Sequence, residues 1–313
     1  MSAAVGTSAE PSETAGSAAK SAPPAAKRAR GEFLFFALRS KKFVIAMAIL
    51  IFLALLAIFG PIIDSTDPVA QAGEQMRHPT LDAGNWFGST YFGDDVFSQF
   101  ANGLRASFFV GLLGGGLSAI IGMLVGFVAG YKGGWIDELL NMLTNIFLVI
   151  PSLAVLLVIA AYLPPEWHGV PFEAVFIGMT SWPWAARAIR AQTFTLRNRD
   201  FIDLAKLSGR SGGKIIVFEI APNMSSYLFL TFILLFGGAI LIGATLDFIG
   251  LGPHEGMTLG LMMYNSVTYG AALQLGIWWW FIPPGIGIIA LVGALYVMNV
   301  GLDEIFNPKL RDI

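Results

Sequence analysis

The sequence specifies an all-α membrane protein of six transmembrane helices preceded by a disordered tail, and three observations lead there. Of its 313 residues, 55% are hydrophobic and 13% charged, with a mean hydropathy of +0.68, a balance foreign to soluble domains. The apolar residues gather into six runs near 43–63, 108–130, 139–163, 171–189, 224–247 and 281–302, each close to the ~20 residues a helix needs to cross a ~30 Å hydrocarbon core. The basic residues are segregated: 17 of the 19 lysines and arginines fall in the tail, in alternate loops or after the last run, and only Arg77 and Arg105 lie on the opposite side. Cytoplasmic loops are the basic ones. The reading is therefore a multi-pass protein of the cell (plasma or inner) membrane with both termini cytoplasmic.

Taken in order, residues 1–32 are rich in Ala, Ser, Pro and Gly and bury too little apolar surface to offset the entropy of ordering, so they read as a disordered cytoplasmic tail. They are not a cleavable signal, whose short apolar run directly follows its basic start; here the first run begins near Phe43 and is long enough to span. Residues 33–107 read as the first transmembrane helix plus an extracytoplasmic segment. Residues 108–313 form a five-helix core with a basic cytoplasmic loop at about 187–223. Without cysteine there are no disulfides and no thiol chemistry. A net charge of −2 and a pI near 5.9 give no basic face for nucleic acid.

Within the extracytoplasmic segment, Trp86, Phe87, Tyr91, Phe92, Phe97 and Phe100 predict amphipathic packing at the membrane interface, and Trp278, Trp279 and Trp280 read as headgroup-level anchors. Span two carries Gly122, Gly126 and Gly130 at four-residue spacing, a stripe of small residues suited to close helix contact. Two readings stay open for it: packing within the chain, or a face that slides against a partner subunit. His78, His168 and His254 fall in outer loops without ligand spacing, so no metal site is expected. No Ser-His-Asp grouping suggests catalysis. The centres of the six spans contain no Asp, Glu, Lys, Arg or His, which argues against an ion-coupled secondary transporter, the alternative of a different class.

The loop is the most informative stretch. Residues 196–209 suit a short helix with Leu204, Ala205 and Leu207 as an apolar patch and Asp203, Lys206 and Arg210 around it, a shape that fits a groove. Gly209, Gly212 and Gly213 then let the chain reverse, and Pro222 marks the start of span five. Gly209-Arg210-Ser211-Gly212-Gly213-Lys214 looks superficially like a phosphate-binding loop, but Ile215 stands where Ser or Thr is required. No nucleotide site, and no cofactor of its own, is expected of this chain.

Asp203-Leu204-Ala205 followed by Gly209 and then Ile220-Ala221-Pro222 resembles the EAA loop of ABC-importer permeases, with Asp for the usual Glu and Leu for the first Ala. Further resemblances come in the family's order. Trp86-Phe87-Gly88-Ser89-Thr90 with Gly93-Asp94-Asp95-Val96 and Ser98 is similar to a segment before span two, with Thr90 for the usual Asp and Asp94 for the usual Arg. Gly130-Tyr131-Lys132-Gly133-Gly134 with Asp137 comes next, then Phe248-Ile249-Gly250-Leu251-Gly252, and finally Asp303-Glu304 with Pro308, Leu310 and Arg311. From about residue 35 onward the chain resembles the second permease subunit of the dipeptide, oligopeptide and nickel ABC importers. That resemblance implies a type I importer fold and a docking role for Asp203, Leu204, Ala205, Lys206, Leu207, Gly209, Arg210 and Pro222. It implies as partners a homologous second permease, two cytoplasmic ATPases that carry ATP and Mg, an extracytoplasmic substrate-binding protein and membrane lipid. It implies peptides as cargo, with oligosaccharides or nickel as alternatives.

Overall fold

A computed structural model describes residues 37–306 apart from 72, 81–85, 255 and 271–273. The tail 1–32 and the C-terminal Pro308, Leu310 and Arg311 lie outside the described residues. Among the described residues the chain is helical throughout, with one isolated β-bridge between Ser89 and Asp95.

Four helices are long and apolar enough to cross a membrane unaided: α1 (Lys41–Ile63), α2 (Val96–Lys132), α9 (Ser225–Leu251) and α11 (Trp278–Phe306). The pair α3 (Gly134–Val149) and α4 (Ser152–Tyr162), bent by 76°, is apolar enough together for a fifth crossing if the two form one span. Pro151 sits at the break with φ −60° and ψ 117°; it has no N–H to continue the ladder and holds Ile150 extended. The run expected at 171–189 is shared by α5 (Val170–Ser181) and α6 (Pro183–Arg197). At 12 residues α5 is only about 18 Å long, short of the core. Trp182 between them keeps helical angles (φ −69°, ψ −25°), so the path continues into α6.

Helix α2 starts earlier than its apolar run. Asp95 caps it by accepting from the Ser98 N–H at 2.7 Å, and the helix continues through a π-helical stretch at Gly111–Gly115. The boundary expected at 107/108 thus lies inside a continuous helix.

Three apolar clusters organise the bundle. Leu53, Phe100, Leu104, Phe236, Leu259, Met262, Trp280 and Leu291 join α1, α2, α9, α11 and α10 (Leu259–Thr268). Val110, Leu156, Ala174, Ile177 and Leu246 join α2 to α4, α5 and α9. Phe127, Ile189, Ile202, Ala205, Ile215 and Ile220 close the end of the bundle that carries the basic loop.

The glycine stripe is filled from within the chain. A Cβ on Gly122 would lie 2.9 Å from the Ala185 Cβ, one on Gly126 2.8 Å from the Ala186 carbonyl oxygen, and one on Gly130 2.7 Å from the Arg190 carbonyl oxygen. Helix α6 therefore occupies the whole face, and of the two open readings the intramolecular one holds.

The aromatic segment also differs from expectation. Trp278 is exposed, but Trp279 and Trp280 are 3% and 1% exposed. Trp279 donates to the Ser89 carbonyl at 3.0 Å and Trp280 to the Gln99 Oε1 at 2.9 Å. An indole N–H buried away from water takes a protein acceptor, so these two rings clamp residues 86–99 onto α11 instead of resting among headgroups. Asp94 replaces a basic residue of the family pattern, yet it is satisfied locally: it accepts from Thr90 Oγ1 at 2.9 Å and from the Gln71 N–H at 2.9 Å.

Candidate docking loop and the outlying carboxylates

The loop leaves the bundle through α6. On one side of this helix Ala185, Ala186, Ile189 and Thr193 are buried, against the glycine stripe. Its polar residues tie it to neighbours: Arg190 grips Asp137 of α3 with two bonds, Nε to Oδ1 at 2.5 Å and Nη2 to Oδ2 at 2.7 Å. Arg187 donates to Asn145 Oδ1 at 2.5 Å, and Arg197 Nη1 donates to the Tyr131 carbonyl at 3.0 Å. A two-point guanidinium fork fixes orientation as well as distance, so α6 is tied to α3 and to the end of α2.

The expected single helix over 196–209 is broken. Helix α6 ends at Arg197, Asn198 and Arg199 leave helical geometry, and α7 covers Asp200–Leu207. Asp200 and Asp203 lie in its first turn, where the helix dipole favours negative charge.

The eight residues of α7 divide by spacing. Ile202 and Ala205, three apart, face inward at 0% and 7% exposure, while Leu204 and Leu207, also three apart, stand outward at 64% and 85%. Ala205 was expected in the apolar patch; it belongs to the anchor, because positions 202 and 205 share the face turned to Phe127, Ile189 and Ile215. Asp203 and Lys206 are exposed and bond to each other at 2.9 Å.

The helix stops at Gly209, which has φ +74°. The Gly209 N–H bonds the Lys206 carbonyl at 2.9 Å and the Arg210 N–H the Ala205 carbonyl at 3.2 Å, the paired closure that a left-handed residue after the last turn allows. A Cβ on Gly209 meets nothing within 4 Å, so the constraint there is conformational. Arg210 pairs with Glu219, folding the next segment back. That segment runs as a short helix α8 (Gly212–Ile215) and a π-helical turn Ile216–Ile220, and it presents Val217 and Phe218, 58% and 64% exposed. Pro222 sits in a single turn, Ala221–Asn223, just ahead of α9.

Val217 and Phe218 escaped the sequence reading, although the four apolar residues 215–218 between Lys214 and Glu219 in a basic loop were a usable signal. At the opposite end of the bundle, the structure assembles two further features. His168 and His254, 86 positions apart, stack with ring centroids 4.3 Å apart and 6° between planes, and the His254 N–H bonds the His168 carbonyl at 2.9 Å. Glu173 of α5 and Asp247 of α9, at the ends of their apolar runs, are turned inward; both Glu173 oxygens and Asp247 Oδ1 lack a hydrogen-bond partner, while Thr258 donates to Asp247 Oδ2 at 2.5 Å. Among the described residues no cluster of three His, Asp or Glu suits a metal ion.

Residues 122–312 match the family described as binding-protein-dependent transport system inner membrane component. The chain is 31% identical over 274 residues to a dipeptide transport system permease protein of Alkalihalophilus pseudofirmus, covering 87% of this chain and 88% of that protein. It is 31% identical over 290 residues to a probable D,D-dipeptide transport system permease protein of Escherichia coli, covering 92% and 94%. A putative peptide transport system permease protein of Brucella suis is 30% identical over 279 residues, covering 88% and 90%. The matched region spans the glycine stripe, α6, the loop and everything after it, and with the multi-pass helical architecture it settles the class: this chain belongs to the family of binding-protein-dependent transport inner membrane components.

Proposed function

We propose that this permease forms one half of a peptide import path, is powered by cytoplasmic ATPases that dock on α7, and is loaded from the other side by a substrate-binding protein. The observation that carries the reading is the division of α7: two inward side chains anchor it, and two exposed leucines with an adjacent charge pair are left over. Exposed leucine at 64% and 85% on an eight-residue helix is unfavourable surface in water, and it suits a groove in a partner.

The mechanism follows from the connections. ATP-driven closure of two ATPases would move α7. Helix α7 follows α6 after two residues, and α6 is clamped to α3 by Arg190 and Asp137 and packed directly against the glycine stripe of α2. Displacement of α7 thus reaches three membrane segments as one rigid group, and alternating access needs such a lever. Hydrolysis would reset it.

The basic asymmetry supports placing α7 and both termini in the cytoplasm, with residues 64–95 outside. Cysteines introduced at Thr80 and His168 should react with an impermeant reagent from outside sealed cells, and one at Ser211 should not; labelling at Ser211 would reverse the topology. Peptide as cargo is supported by the names of the relatives. Purified substrate-binding protein from the same system should bind di- or oligopeptides in preference to oligosaccharides or nickel, and the reverse preference would replace the cargo while leaving the architecture.

A further inference from the structure

Between α1 and α2 the chain closes a polar cavity of about 240 Å³ at the end of the bundle opposite α7. Among the described residues its lining includes four carboxylates, Asp67, Glu74, Asp94 and Asp95, and one basic side chain, Arg77. The walls are fixed by bonds between two stretches of chain. The Gln71 N–H donates to Asp94 Oδ1 at 2.9 Å, the Gly73 N–H to the Gly93 carbonyl at 3.0 Å and the Met76 N–H to the Thr90 carbonyl at 3.0 Å. Gln71 and Met76 hold left-handed backbone, at φ 49° and 54°, without being glycine. Such strain persists only where the surroundings over-determine the conformation, so the cavity is a preformed shape.

Asp95 indicates what the cavity takes. It lines the cavity yet is only 7% exposed; its Oδ1 accepts from the Ser98 N–H at 2.7 Å, and its Oδ2 has no hydrogen-bond partner. A carboxylate withdrawn from water without a partner is unfavourable, and burial, with a push from Asp64, raises this one to about 6. Asp67 and Glu74 line the same cavity and are exposed, so its negative charge reaches the surface, and Arg77 sets one positive charge against four negative ones. Among the described residues no three acids gather closely enough to hold a metal ion. The chemistry that fits is a compact cation with several donors, carried on a stem long enough to enter. A lysine side chain has that form: three N–H donors on a flexible four-carbon chain.

We propose that this cavity receives a lysine side chain of the substrate-binding protein, which enters past Asp67 and Glu74 toward Asp95. The inference rests on the loading scheme given above, in which that protein meets this end of the bundle. The charge of the segment argues for a basic partner face, since residues 64–107 carry six acidic residues and two basic ones, and complementary charge sets orientation and encounter rate at an interface.

The test uses the assembled permease pair with its ATPases in nanodiscs and the purified binding protein of the same system. Affinity should fall at least about fivefold from low to high salt. Asp67→Asn combined with Glu74→Gln should lower it by about the same factor at low salt and change it little at high salt. Both positions are exposed, so the melting temperature of the complex should hold; should it fall, Glu74→Gln alone decides. Glu166→Gln, an exposed acid outside the cavity lining, should leave affinity unchanged. A carbodiimide, which joins a carboxylate to a lysine amine as an amide with loss of water, should link the two proteins through Asp67 or Glu74. Wild-type affinity in the double variant at low salt, an equal loss in Glu166→Gln, or cross-links that map only elsewhere would each overturn the proposal. Binding that ignores both salt and variant removes the lysine cavity and leaves the loading scheme, whereas no binding at any salt removes both.

Discussion

The two ends of this bundle are built in opposite ways. At one end, residues 86–99 are locked: Ser89, Thr90, Asp94, Asp95, Ser98 and Gln99 are buried polar residues, and Trp279 and Trp280 pin the segment from across the chain. At the other, α7 is held by Ile202 and Ala205, the partly buried Phe201 and a glycine closure, and its other residues are exposed. Buried, hydrogen-bonded polar groups specify one conformation because leaving any of them unpaired is costly. An exposed, lightly anchored helix instead offers surface and can follow a partner. The first end is a fixed frame, and the second is a lightly anchored, exposed surface.

Substitutions sharpen or break that contrast. The largest expected effect is Trp280→Ala, which empties a site 1% exposed and orphans Gln99; about 3–5 kcal/mol of stability should be lost in a denaturation series. Leu207→Ala, at 85% exposure, should leave stability within roughly 0.5 kcal/mol yet reduce ATPase co-purification. If Leu207→Ala destabilises as much as Trp280→Ala, the frame-and-contact distinction is lost. Gly209→Leu comes next. Forcing a side chain into φ +74° costs about 1–2 kcal/mol, localised to the end of α7, so insertion should survive while ATPase association and uptake fall. Retention of both at wild-type levels would remove α7 as the coupling element.

The frame also carries a pH effect. Burial, with a further push from Asp64, raises the Asp95 carboxyl from 3.8 to about 6, against the opposing hydrogen bond from the Ser98 N–H. A raised acid binds its proton more tightly when folded, so stability should fall as pH rises from about 4 to about 6 and then level off. Asp95→Asn should flatten that window; an unchanged melting-temperature profile between wild type and variant would show that Asp95 is not its source. The smallest effect is Asp203→Ala, which removes an exposed pair with Lys206 and should change docking by about 1 kcal/mol or less.

What was legible in the sequence is what local chemistry decides. Apolar runs marked the crossings because lipid demands them, and a glycine at 209 with a polar loop around it marked a helix stop. The glycine stripe announced a close contact but not its partner, since Ala185 and Arg190 lie some 60 positions away. The indole partners and the stacking of His168 on His254 were invisible for the same reason: each joins residues far apart in the chain. The inward turn of Ala205 was missed because an alanine reads equally well on either face of so short a helix, and Ile202 settles the matter only once Phe127 and Ile189 are in place. The start of α2 at Val96 was hidden because its first turns are amphipathic, not apolar.

The bend between α3 and α4 has a bearing on hydration. Its first helical residues after the break, Ser152, Leu153 and Ala154, begin a new helix whose opening N–H groups have no carbonyl behind them, and Pro151 offers no side-chain cap. Acyl chains cannot satisfy such donors. Wherever the break meets hydrocarbon, this point on the surface, where Val149 stands 83% exposed in the single chain, needs water or a second subunit against it.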